Sequence, residues 1–197
     1  FDVVTYSSNQ SSSQTINHNL GSVPGCIIVK RTSASGGWAV YHRGLDASNP
    51  ENKFIRLDSN GAVNSNSSAF GTAPTSTQFT VGNNALTNDS DPADYVAYLF
   101  AHNDDDGEFG PDGDADIIKC GSYTGNGSST GPEIDLGFEP QWLLVKNANS
   151  SSADWLLLDV MRGWGMGDAD IFIEPNTSGG DQGSQNWVDI TPTGFKI

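Results

Sequence analysis

Residues 25–42, Gly-Cys-Ile-Ile-Val-Lys-Arg-Thr-Ser-Ala-Ser-Gly-Gly-Trp-Ala-Val-Tyr-His, decide the fold. Two short apolar runs flank a Ser/Gly-rich stretch, the pattern of two strands joined by a loop with an apolar face to bury. The layout returns at residues 141–159, Gln-Trp-Leu-Leu-Val-Lys-Asn-Ala-Asn-Ser-Ser-Ser-Ala-Asp-Trp-Leu-Leu-Leu-Asp. Outward from these hairpins, Tyr6 matches Tyr123, Leu20-Gly21 matches Leu136-Gly137, Pro24 matches Pro140, Lys30 matches Lys146 and Trp38 matches Trp155. The separation stays at 116 or 117 residues throughout. Constant spacing of this kind predicts an internal duplication, because shared composition alone would not hold a register.

The expected fold is all-β: two tandem β-sandwich or jelly-roll-like domains of about 100 residues each. Helical periodicity is hard to find, whereas strand signals recur between Gly, Pro, Asn and Asp. They fall near 2–6, 14–18, 25–31, 37–42, 53–57, 77–81 and 94–101 in a first repeat spanning residues 1–102. In a second repeat spanning 117–197 they fall near 117–123, 133–136, 141–147, 154–159, 170–174, 186–190 and 194–197. Residues 103–116 form a Gly/Asp-rich connector. Five Trp, nine Phe and five Tyr supply two modest cores.

The repeat also serves as a ruler. Pro74…Phe79-Thr-Val81 aligns with Pro192…Phe195-Lys-Ile197. In the first repeat the strand Tyr95-Val-Ala-Tyr-Leu-Phe100 follows, and the second repeat reaches Ile197 without its counterpart. A strand that alternates large and small apolar residues belongs inside a sheet, so its loss should leave unpaired backbone groups. Two completions follow: continuation of the polypeptide beyond residue 197, the first expectation, or a strand added by another chain.

Charge narrows the partners. Against nine Lys and Arg stand 24 Asp and Glu, a formal net charge of −15, which makes nucleic acid a poor partner. No apolar stretch is long enough to insert in a membrane as a helix. Cys26 and Cys120 do not make a disulfide framework, and they read either as two buried thiols or as a bridge between the repeats.

Several motifs taken together resemble a repeat domain of structural proteins of marine tailed bacteriophages, chiefly tail fibres and appendages. They are Tyr123-Thr-Gly-Asn-Gly127, Leu136-Gly-Phe-Glu-Pro140, Trp38-Ala-Val-Tyr-His-Arg-Gly44, Ala73-Pro-Thr-Ser-Thr77 and Tyr95–Ala101. The likeness spans nearly the whole chain, although Tyr6-Ser-Ser-Asn9 lacks the Thr-Gly-Asn-Gly turn. It implies a non-enzymatic virion protein, located on the particle or extracellularly and acting in assembly and host attachment. The implied partners are other virion proteins or copies of itself, with cell-surface glycan as a further ligand. It supplies no catalytic residues. A glycan-binding module outside any phage, and a filament subunit completed by a neighbour's strand, stand as alternatives.

Three places could carry chemistry. The connector holds seven carboxylates and no lysine or arginine. Asp104, Asp106, Asp112, Asp114 and Asp116 alternate with glycines and are candidate Ca²⁺ ligands, since Ca²⁺ takes six to eight hard oxygens from a flexible loop. Its rival is a solvated, self-repelling linker. Trp38 with Arg43 and Trp155 with Arg162 recur and form a candidate glycan platform, or else a duplicated packing position with surface ion pairs. Trp164 and Met166, in the unrepeated insertion Gly163–Asp168, either meet a partner or fold back over the sheet. Nucleophilic catalysis finds little support, since there is no G-x-S-x-G elbow, H-E-x-x-H or phosphate-binding glycine loop. A polysaccharide-cleaving carboxylate pair depends on spatial separation and stays open.

Overall fold

The computed structural model describes residues 1–167 and 169–197, so Asp168 at the end of the predicted insertion lies outside the described residues. The chain is all-β, with three single-turn 3₁₀ segments among the described residues. In chain order the strands are β1 (Asp2–Ser7), β2 (Ser13–Asn17), β3 (Cys26–Arg31), β4 (Trp38–His42), β5 (Lys53–Arg56), β6 (Asn64–Ser65), β7 (Gln78–Gly82) and β8 (Asp94–Phe100). They continue with β9 (Glu133–Asp135), β10 (Trp142–Val145), β11 (Leu156–Asp159), β12 (Asp170–Ile173), β13 (Gln182–Gln185), β14 (Asp189–Thr191) and β15 (Gly194–Lys196). Every ladder between these strands is antiparallel.

In the first half, β1-β8-β3-β4-β5-β6 form one sheet and β2-β7 a two-stranded ribbon. Strand alternation sends one face of each inward. Ile27 and Val29 of β3, Ala39 and Tyr41 of β4, and Tyr95, Ala97 and Leu99 of β8 meet Ile16, Phe79 and Val81 of the ribbon in one buried cluster. This is a sandwich-like packing in which β8, buried at every second residue, is the central staple. Losing Leu99 to alanine would cost ~2–5 kcal/mol, the usual range for a fully buried leucine.

The second half builds a β10-β11-β12-β13 sheet and a β14-β15-β9 sheet. Their joint core contains Leu158, Trp164, Phe172, Val188, Ile190 and Phe195. The registers of the halves run in step. Cys26 faces His42 and Ile27 faces Tyr41 in the first hairpin, as Trp142 faces Asp159 and Leu143 faces Leu158 in the second. Val40 faces Ile55 as Leu157 faces Ile173, whereas the Ile134–Phe195 pair is two residues out of step with Ile16–Phe79, because the offset of 116 matches Ile134 with His18. Even the loop caps agree: the Trp38 amide donates to the Asp58 carboxylate at 2.7 Å, and the Trp155 amide donates to the Asn176 side-chain oxygen at 2.8 Å.

Three expectations about strands need correction. Residues 117–123 form no strand, and in the first half the matching β1 pairs with β8 alone. Among the described residues the second sheet has no strand in the place of β8, so the segment meets no ladder there. The strand expected at 186–190 is shifted to β14. The very short β6 and the polar β13 were not anticipated, because neither carries an apolar alternation.

The halves dock through the outward faces of their hairpins. Ile28, Val40, Ile55 and Trp155 form a third buried cluster, joined by Trp38, Tyr98, Phe100 and Leu144. Trp155 is 4% exposed, and its indole Nε1–H donates to the Arg56 carbonyl at 2.9 Å. The Val63 amide donates to the Ala148 carbonyl at 2.8 Å, and Lys146 Nζ donates to the Asn60 carbonyl at 3.3 Å.

Candidate interaction surface

Among the described residues the second sheet ends at β10, which pairs with β11. The Val160 amide donates to the Gln141 carbonyl across that hairpin. Backbone direction alternates along a strand, so residues 141, 143 and 145 address β11 while Trp142 and Leu144 point their N–H and C=O groups the other way. An edge of this kind is a template for another strand. Exposed apolar side chains occur on this edge strand and in the segment after β11. Trp142 is 50% exposed, Met161 92% and Met166 74%, and Val160 is partly exposed beside them. A shallow cleft of about 270 Å³ runs among Glu139, Val160, Trp164, Met166 and Pro192.

Trp164 and Met166 therefore part company. Trp164 turns into the second core, 3% exposed, with its indole N–H donating to the Val188 carbonyl at 2.7 Å. Met166 faces outward. Neither Trp142 nor Met161 was singled out from the sequence. A signal existed for the first: the strand that begins with Cys26 in one half begins with a tryptophan in the other.

The repeated tryptophans belong to the docking interface. Trp155 is closed off by the first half. Trp38 stacks against Tyr98 at 6.5 Å, with Lys30 Nζ 5.7 Å from its ring centroid. Arg162 is held by Asp159 at 2.8 Å and Asp181 at 3.0 Å, while Arg43 is exposed in the turn after β4. The Trp38–Arg43 and Trp155–Arg162 pairs thus do not present two matching open aromatic faces.

The connector folds into a closed turn. Phe109 and Ala115 pair through their backbones, with Gly110 at φ +83° and Gly113 at φ +71° between them. Asp116 accepts from the Asp105 amide at 2.9 Å and the Gly107 amide at 2.8 Å, and these donors hold its carboxyl below the ordinary range. Asp106 accepts from the Asp104 amide, and Asp104 lies 3.4 Å from Lys119. Asp112 and Asp114 are exposed at the tip, away from this base. Among the described residues no three carboxylate, imidazole or thiol side chains converge as metal ligands would.

Where the connector returns, it crosses the end of the first sheet. The Cys120 amide donates to His102 Nδ1 at 3.1 Å, and Gly25 lies so close to Cys120 and His102 that a Cβ there would collide with both. Burial pushes the Cys26 thiol well up and that of Cys120 to about 11. Both are free thiols and weak nucleophiles. His42 is pushed down to about 4, by burial first and then by Arg43 and His102. Its Nδ1 accepts from the Gly44 amide at 3.0 Å, which requires the neutral ring. No helix among the described residues is long and apolar enough to cross a membrane.

A family model described as Domain of unknown function (DUF7483) matches residues 1–197, both halves together, and the chain belongs to that family. No curated protein and no solved structure matches it.

Proposed function

We propose that the chain is a non-enzymatic structural module of a tailed-phage virion, a tail fibre, appendage or capsid-surface decoration, built from two duplicated β-sandwich repeats. It works by assembly with other virion proteins or further copies and by contact with the host surface. The observation that carries this reading is the pairing of step-matched hairpins with an apolar interface that packs one half against the other. Such a unit suits transmission of shape and load. The phage-like motifs Tyr123–Gly127 and Leu136–Pro140 support the same reading; they lie in irregular segments beside the strands of the second half. A net charge of −15 suits a particle surface that must stay dispersed in salt.

The test is location. Antibodies raised against the chain should label intact particles of the phage that encodes it at a fixed position by electron microscopy. Recovery of the chain only outside purified particles would overturn the proposal. A glycan array probes the attachment role separately, and Trp142, Met161 and Met166 are the side chains whose replacement should abolish any signal.

A further inference from the structure

We infer that Cys26 and Cys120 form an oxidisable staple, a modification site that closes to a disulfide and ties the connector's return to the end of the first sheet. Both residues lie inside the described chain, and the staple needs no further segment or partner.

Position is the first observation. Cys26 opens β3 and stands opposite Phe100, the last residue of β8. The Cys120 thiol donates to the carbonyl of Ala101, the next residue along, at 3.4 Å. The two cysteines of the chain therefore meet at one end of β8.

The space between them is clear of side chains. A Cβ on Gly25 would stand 2.6 Å from Cys120 Cβ, 2.9 Å from its sulfur and 2.8 Å from His102 Cβ. With glycine there, Cys120 packs against backbone one Cα step, about 3.8 Å, from Cys26. A disulfide spans Cα atoms roughly 4.4–6.8 Å apart, and this stacking brings that span within reach of side-chain rotation. Two backbone donors hold the site: the Cys120 amide on His102 Nδ1 at 3.1 Å, and the Arg43 amide on the Gly25 carbonyl at 2.9 Å. After burial, the charge of Cys120 is what raises the Cys26 thiol, as expected of neighbours.

The staple also joins parts that matter to each other. Cys26 packs on the cluster of Ile28, Val40, Ile55 and Trp155 through which the halves dock. Cys120 lies on the segment that leads from the connector into the second half.

Access sets the order of the chemistry. Cys26 keeps part of its surface exposed, whereas Cys120 is buried. A small organic disulfide, R–S–S–R, therefore reaches Cys26 first. The Cys26 thiolate attacks one of its sulfurs, a mixed disulfide forms and RS⁻ leaves. The Cys120 thiolate then attacks the Cys26 sulfur, expels the second RS⁻ and completes the bridge. Two protein thiols are oxidised, one small disulfide is reduced, and the two leaving thiolates take up the two protons. The raised thiols react slowly, so the reduced form persists in a reducing medium and the staple closes in an oxidising one. Closure restrains the unfolded chain over the loop from residue 26 to residue 120, so the oxidised form should melt higher.

The test equilibrates the full 197-residue chain in mixtures of reduced and oxidised glutathione, folded and in unfolding urea. Acid quenching, alkylation and intact mass spectrometry then count bridges. One intramolecular bridge is expected, forming in the folded chain at a roughly tenfold lower ratio of oxidised to reduced glutathione than in urea. Oxidation should also raise the melting temperature and slow exchange of the Cys120 amide. Cys26→Ser and Cys120→Ser should each abolish both changes.

Bridging no easier in the folded chain than in urea would overturn the proposal. So would glutathione adducts that persist on the folded chain, or bridges between two chains in place of one within it. The comparison of folded with unfolded chain uses the unaltered sequence, so it decides the matter even where a serine variant folds poorly. The staple stands or falls independently of where the chain is located.

Discussion

Replacing Trp155 by alanine should uncouple the two halves. The side chain is 4% exposed and packs with Ile28, Val40 and Ile55, residues of β3, β4 and β5 in the opposite half. Truncating a buried aromatic costs ~3–5 kcal/mol, made up of lost burial and the cavity left behind. Its indole donor also leaves the Arg56 carbonyl without that bond. Two polar links beside the tryptophan, Val63 to Ala148 and Lys146 to Asn60, contribute about 1 kcal/mol each at most. They are small beside the loss of the tryptophan. Against a typical stability of ~5–15 kcal/mol, the loss should be plain in urea denaturation followed by far-ultraviolet circular dichroism. Hydrogen exchange locates it: the Val63 amide should lose protection, while Ala97 and Leu99 in β8 keep theirs. Trp155→Phe should fall between, near 1–2 kcal/mol, because it restores most of the ring but not the donor. A loss under about 1 kcal/mol for the alanine variant, with Val63 exchange unchanged, would refute the assignment of Trp155 to docking.

Other outcomes can be stated briefly. His42 is depressed to about 4, so the unfolded chain binds the proton first. Stability should then be intact above pH ~6.5 and fall by at most ~3 kcal/mol as pH drops towards 4. His42→Asn, which can still accept from the Gly44 amide, should flatten that slope, and an imidazole titrating near 6.5 by NMR would contradict it. Gly107→Ala drives a Cβ into the Ala115 carbonyl and should open the connector turn, read as faster proteolysis between residues 104 and 116 with the strands unaffected. Calcium at roughly millimolar concentration, where weak extracellular sites fill, should leave the melting temperature unchanged, since Asp104 and Asp116 are already engaged; an upward shift lost in Asp112→Asn or Asp114→Asn would refute this. Arg162→Ala should cost under about 1 kcal/mol despite two ion pairs, because both are partly exposed.

The hairpins were legible because their apolar alternation and bounding turns are local signals, and β1 to β5, β7 and β8 fall close to where those signals place them. β13 was not legible: Gln182, Gly183 and Gln185 have no face to bury, and the strand exists because β12 offers it a ladder. The segment at 117–123 fails in the opposite sense. Its residues resemble β1 closely enough to predict a strand, yet strand formation depends on a partner far away in the chain. Propensity cannot report whether that partner lies alongside.

The repeated tryptophan shows the same limit at the level of packing. Recurrence of Trp38 as Trp155 suggests an inward-facing position held twice, once in each sandwich. Both side chains instead lie on the outward faces of their hairpins, in one shared cluster with Ile28, Leu144 and Val40. The inward positions are those of Ala39 and Tyr41 in the first half and Leu158 in the second. Alternation along β4 therefore decides the matter: if Tyr41 faces the core, Trp38 lies on the other face at three residues' distance. A sequence with apolar residues on both faces of β3 and β4 already states that both faces are covered. What covers the second face lies more than 100 residues away, and the β10–β11 hairpin supplies it. The two hairpins are thus mutually dependent, because each provides the apolar surface that the other must bury.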